Sequence, residues 1–172
     1  MNIKSITLIV FFTISSLLAN AQFEAGLLNT LEAVYPDSNN VKLKNTFTTN
    51  IAKNSAAEVH ILVKSEIGNL ISFSTQSKNI SNVNLSVIEP VPVEQNTGID
   101  SRTEQFLGVL NPHVIRRAPF DVFEIIYPLE ERRIKTKYRY SLIRLTIDPE
   151  NFKSNKDYVI NISISDKLKN LK

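Results

Sequence analysis

The chain has 172 residues, 42% of them hydrophobic, an ordinary globular share that argues against wholesale disorder. It contains no Cys, two His and four Gly, so disulfides, thiolate nucleophiles and cysteine-ligated zinc drop out. Twenty basic residues against 17 acidic ones give a net charge of +3, too even a balance to predict nucleic-acid binding.

Residues 1–21 have the grammar of a signal peptide. Lys4 supplies a positive start, Ile6 to Leu18 form an apolar run, and Ala19-Asn20-Ala21 fits a small-x-small cleavage pattern that leaves Gln22 as the mature N-terminus. The run falls short of the ~20 residues needed to span a bilayer. No second run of membrane length follows, so the expectation is export to the periplasm or exterior with no stable transmembrane segment. Losing Lys4 with the leader leaves 19 basic and 17 acidic residues, a net of +2. An exported chain without disulfides must rely on a packed core, and residues 22–172 are expected to form one domain.

Along that domain, Leu27, Leu28, Leu31 and Val34 have helical spacing and predict a short amphipathic helix stopped by Pro36. The period then changes to two. Val59, Ile61 and Val63 define one apolar face of a strand, Gly68-Asn69 reads as a turn, and Leu70 to Thr75 returns, so the pair is expected to form a hairpin. Val83, Leu85 and Val87 mark another strand, followed by Pro90 and Pro92, which are unsuited to a central sheet position. Residues 94–111 read as a long loop. Val114 to Tyr127 is β-branched and broken by Pro119, and Tyr140 to Ile147 and Tyr158 to Ile164 complete the series. The pattern predicts an all-β fold, an antiparallel two-sheet immunoglobulin-like β-sandwich with a short N-terminal helical segment.

Catalytic motifs are sparse. Asp121 and Glu124 lie three apart on a predicted strand, which points them to opposite faces, and Asp100 with Glu104 falls in the loop. Such pairs arise readily on a solvated surface with 17 acids. His60 sits within a strand and His113 at a loop-to-strand junction, too isolated to predict a metal site. There is no G-x-S-x-G, no Gly-rich phosphate loop and no H-E-x-x-H, and no cofactor is predicted. A basic cluster, Arg132, Arg133, Lys135, Lys137 and Arg139 interleaved with Ile134 and Tyr138, is the candidate contact surface for an anionic polysaccharide or a membrane headgroup. The simpler alternative is a solvated connection balanced in part by Glu130 and Glu131. Trp, the usual flat platform for sugars, is absent.

The stretch Leu31-Glu32-Ala33-Val34-Tyr35-Pro36-Asp37, followed by Glu58-Val59-His60-Ile61-Leu62-Val63, resembles the opening of certain large secreted bacterial glycoside hydrolases, similar to glycoside hydrolase family 123 and its uncharacterised relatives. Pro112 to Phe123 resembles a later part of the same module, and Leu142 to Pro149 and Asp157 to Ile164 resemble its closing strands. Ser154-Asn155-Lys156 departs from the Pro-Gly turn expected before Asp157. The resemblance implies an N-terminal sandwich that packs against a separate catalytic domain, and no acid/base residue carries over to this chain. The resulting expectation is a non-catalytic accessory module of a secreted carbohydrate-processing protein, with a catalytic domain or glycan as partner and weak self-association through a bare flank. The alternative is a glycan- or envelope-partner-binding protein that uses the 94–111 loop and Arg132, Arg133, Lys135, Lys137 and Tyr138. A small hydrolase with an unrecognised site is the third class.

Overall fold

A computed structural model of the chain describes residues 6–14, 23–28, 32–39, 41–52, 54–80, 82–95, 104, 106–148, 150, 152 and 157–166. Its regular elements are ten strands: β1 (Ile6–Ile14), β2 (Glu24–Leu28), β3 (Thr46–Ile51), β4 (Ala57–Lys64), β5 (Leu70–Gln76), β6 (Asn84–Val93), β7 (Phe120–Pro128), β8 (Arg133–Lys135), β9 (Tyr140–Ile147) and β10 (Tyr158–Asp166). They form two five-stranded sheets, ordered β3-β1-β10-β5-β8 and β2-β4-β9-β6-β7. All pairings are antiparallel except that of β1 with β10. Among the described residues no helix is long and apolar enough to cross a membrane.

The predicted alternation sets the core. Val59, Ile61 and Val63 of β4 meet Ile143, Leu145 and Ile147 of β9, and across the sandwich they share one cluster with Ile71, Phe73, Tyr158, Ile160, Ile162 and Ile164 of the other sheet. The intervening residues of β10, Val159, Asn161 and Ser163, are exposed. Period-two burial of this kind is what makes a β-branched segment a strand, since each apolar residue enters the core while its neighbour stays hydrated.

Three features correct the expectations. Leu27 and Leu28 belong to strand β2, paired with Ile61 and His60, in place of the predicted helix; Leu31 lies outside the described residues. Both leucines are buried, Leu27 in the core between the sheets and Leu28 on the opposite face. A strand covered on two faces carries consecutive apolar residues, which mimic a helical stripe.

The second correction concerns β4 and β5, which lie in different sheets and make no hairpin. Ser65 to Asn69 is an arch over the edge of the sandwich. The Ser65 N–H donates to the Arg139 carbonyl at 3.1 Å, Gly68 N–H to the Thr136 carbonyl at 2.8 Å, and Thr136 N–H to the Asn69 carbonyl at 2.9 Å. Gly68 has φ 94°, a left-handed conformation open to glycine at no steric cost. The turn was legible, but the partner of the returning strand was not.

The third is a second apolar cluster on the outer face of the β2-β4-β9-β6-β7 sheet. Leu28, Leu62, Ile88, Tyr140 and Leu142 are buried there beneath Val34, Val41 and Leu43 of the segment between β2 and β3. The prolines of β6 behave as expected. Only Asn84–Ile88 pairs with β9, and the register shifts at Glu89/Pro90, so Pro90 and Pro92 face β7 alone.

Candidate functional site

The basic segment is divided by the fold. Arg132 sits in a turn with φ 51°. Its guanidinium donates to Thr75 Oγ1 at 2.7 Å and to the Val83 carbonyl at 3.3 Å, bridging β5 to the start of β6. Those bonds make it a structural cation. Arg133 and Lys135 project from the same side of β8, where Arg133 pairs with Glu131 at 2.9 Å. Lys137 reaches Glu89 at 3.0 Å.

Lys135, Lys137 and Tyr138 do converge, on a shallow cleft whose floor includes Val87, Ile134 and Tyr140. It opens to solvent and encloses far less space than a small-molecule pocket. The arrangement suits a grazing contact with an extended or surface ligand better than enclosure of a small molecule. Of the five predicted contact residues, three line this cleft, one is beside it, and Arg132 is committed elsewhere.

Register creates a second polar cluster that spacing alone does not reveal. His60 pairs with Arg144 across β4 and β9, Arg144 also faces Ser86 of β6, and Glu58 faces Thr146. Glu58 Oε1 is 3.0 Å from His60 Nε2, and its other oxygen is 3.6 Å from Arg144. The three side chains form an acid-bridged row on the outer face, beside the apolar cluster. His113 is exposed, with its N–H donated to Asn111 Oδ1 at 2.9 Å. Among the described residues no three His, Cys, Asp or Glu side chains converge as a metal site would require.

The acidic pairs are dispersed. Asp121 is half-buried and Glu124 exposed on β7, where Glu124 is the extra residue at the register shift opposite Glu89/Pro90. Asp100 lies outside the described residues. Glu104 instead binds Arg117 through both oxygens and accepts the Asn111 N–H at 2.7 Å. The Arg117 hydrogen bonds, with the Asn111 N–H behind them, hold its carboxyl below the usual range. That is the reverse of what a general acid needs.

The neighbouring Arg116 pairs with Asp37, and its hydrogen bond to that carboxylate lowers the Asp37 pKa. The same guanidinium lies 4.4 Å from the Tyr35 ring centroid and 5.0 Å from that of Phe120. The two rings meet edge to face at 5.7 Å. These contacts fasten the stretch before β7 against the outer-face segment. Between Glu104 and Arg116 the chain presents Phe106, Leu107, Val109, Leu110 and Ile115 to solvent, with Phe106 87% and Ile115 92% exposed.

Fold and surface together define a two-sheet all-β protein with an open, lysine-flanked cleft and one apolar flank. No protein-family model matches the chain, and no curated protein matches it.

Proposed function

We propose that the chain is an immunoglobulin-like β-sandwich that serves as a non-catalytic accessory module of a secreted carbohydrate-processing protein. The observation that carries this reading is the apolar flank. Five large hydrophobic residues between positions 106 and 115 are exposed, on a stretch that the Arg117–Glu104 pair closes on itself and the Arg116–Asp37 pair ties to the outer-face segment. Apolar surface kept in place and left bare is the mark of a docking face. The resemblance of Leu31–Asp37 and Pro112–Phe123 to the sandwich modules of family 123-like glycoside hydrolases supplies the class of neighbour. Export follows from Lys4, the apolar run and Ala19-Asn20-Ala21.

The test combines aryl-glycoside assays of the purified exported protein with sedimentation velocity. Inactivity with weak, concentration-dependent association that Leu107→Asp and Leu110→Asp abolish supports the module. Turnover lost in Asp121→Asn or Glu124→Gln overturns it. A second reading, recognition of an anionic glycan, is favoured by the convergence of Lys135, Lys137 and Tyr138 on one cleft. Retention on an anionic polysaccharide that Lys135→Glu and Lys137→Glu remove would select it.

A further inference from the structure

One strand of the first sheet comes from the segment with signal-peptide grammar. β1 runs parallel to β10, with Leu8, Val10, Phe12 and Ile14 in register with Tyr158, Ile160, Ile162 and Ile164. On its other side it pairs antiparallel with β3 from Ile6 to Phe11. Cleavage before Gln22 removes this strand from the interior of the sheet. It separates β3 from its strand neighbour and opens the edge of β10.

We propose that the position vacated by β1 is a strand-acceptor slot. In the exported protein it takes an extended apolar segment of a partner polypeptide, parallel to β10, by β-augmentation. The inference rests on the export reading given above. The walls of the slot specify the occupant. Tyr158, Ile160, Ile162 and Ile164 face the core, whereas Val159, Asn161, Ser163 and Ser165 face solvent. Neighbouring residues on paired strands share a face, so an incoming strand needs apolar residues at alternate positions and tolerates polar ones between them.

β3 is a poor substitute for that occupant. Moving it across one strand spacing of ~4.8 Å would set a six-residue strand against the nine residues of β10. Its sequence, TFTTNI, offers only Phe47 and Ile51 as large apolar residues. Thr49, at the register position beside Leu8, would face part of an otherwise apolar row. An open edge beside a core-facing apolar row favours pairing with another chain.

The experiment uses the exported protein, with its N-terminus fixed by intact mass, and a synthetic peptide of residues 6–14 flanked by solubilising lysines. Hydrogen exchange is followed at those backbone amides of residues 159–165 that point away from β5. The expected result is fast exchange that slows at least tenfold with the peptide and stays fast with its Val10→Pro form, in which the ring removes a ladder donor. Slow exchange without peptide in a monomer would mean that β3 has closed the gap. Slow exchange lost on dilution of a dimer would mean that a second copy fills it. Either result, or no response to peptide, overturns the slot while a Gln22 start leaves the export reading intact. Retention of Met1 overturns export itself and leaves the slot filled from within the chain.

Discussion

The guanidinium of Arg116 lies over the ring of Tyr35, 4.4 Å from its centroid, while the same group pairs with Asp37. Two sequence stretches nearly eighty residues apart, Tyr35-Pro36-Asp37 and Arg116-Arg117-Ala118-Pro119-Phe120, thus meet on the outer face of one sheet. A planar cation can hold a carboxylate in its plane and an aromatic ring against its face at once, which an ammonium cannot reproduce. The contact joins the covering segment of the outer cluster to the stretch that carries the apolar flank.

Arg116→Ala is therefore expected to loosen residues 106–118 more than the core. Limited proteolysis should cut that stretch several-fold faster, with only a small fall in denaturant midpoint. Arg116→Lys should restore part of the ion pair but not the protection, because the stacking is lost. Equal protection in Lys and Arg forms would show that charge alone suffices.

Acid should weaken the same region. Asp37 and Glu104 both have pKa values lowered in the folded protein by the hydrogen bonds from Arg116 and Arg117. Their stabilising contribution is complete above the unfolded values of about 3.9 and 4.3. It is lost as the pH falls through the lower folded values, since the unfolded chain then binds more protons. Denaturant midpoints should fall between pH 6 and pH 3, and the double variant Asp37→Asn, Glu104→Gln should show a shallower fall. An unchanged pH profile in that variant would assign the acid sensitivity to other carboxylates.

Gly26 marks a close approach on β2. A Cβ built there would lie 2.5 Å from Leu43 Cβ and 3.1 Å from the Lys44 carbonyl, while Leu27 and Lys44 exchange backbone hydrogen bonds at 2.7 and 3.1 Å. Gly26→Ala must push the covering segment away or break that pair, and overpacking of this kind costs about 1–3 kcal/mol. A chemical-denaturation curve matching that of the unaltered protein would show that the segment yields freely.

The strands with clean alternation were legible, because Val59, Ile61, Val63 and the even-numbered residues from Tyr158 to Ile164 encode a face directly. The fate of β5 was not, since a turn at Gly68-Asn69 serves a hairpin and a crossing between sheets equally well. Leu27-Leu28 misled for a related reason: burial on both faces erases the period that separates strand from helix. At the candidate site, the cationic run was visible but its allocation was not. The bonds of Arg132 to Thr75 and Val83 depend on strands 57 and 49 residues away. The Glu58–His60–Arg144 row likewise exists only through the β4–β9 register.

Ile61 and Leu62 give the sharpest test of how the second sheet is covered. They are adjacent on β4, and both are fully buried, although successive strand residues point to opposite faces. Ile61 enters the core between the sheets, and Leu62 enters the outer cluster beneath Val34, Val41 and Leu43. If that outer cover is packed as tightly as the interior, Leu62→Ala should cost about 2–5 kcal/mol, as Ile61→Ala should. The two losses should differ in kind. Ile61→Ala weakens both sheets together, whereas Leu62→Ala should also expose residues 32–44 to proteolysis. Leu43→Ala combined with Leu62→Ala should cost less than the sum of the separate changes, because the second truncation removes contacts already lost to the first. Its combination with Ile61→Ala, on the other side of the sheet, should be closer to additive. A Leu62→Ala protein as stable as the parent would mean that the 32–44 segment lies over the sheet without supporting it.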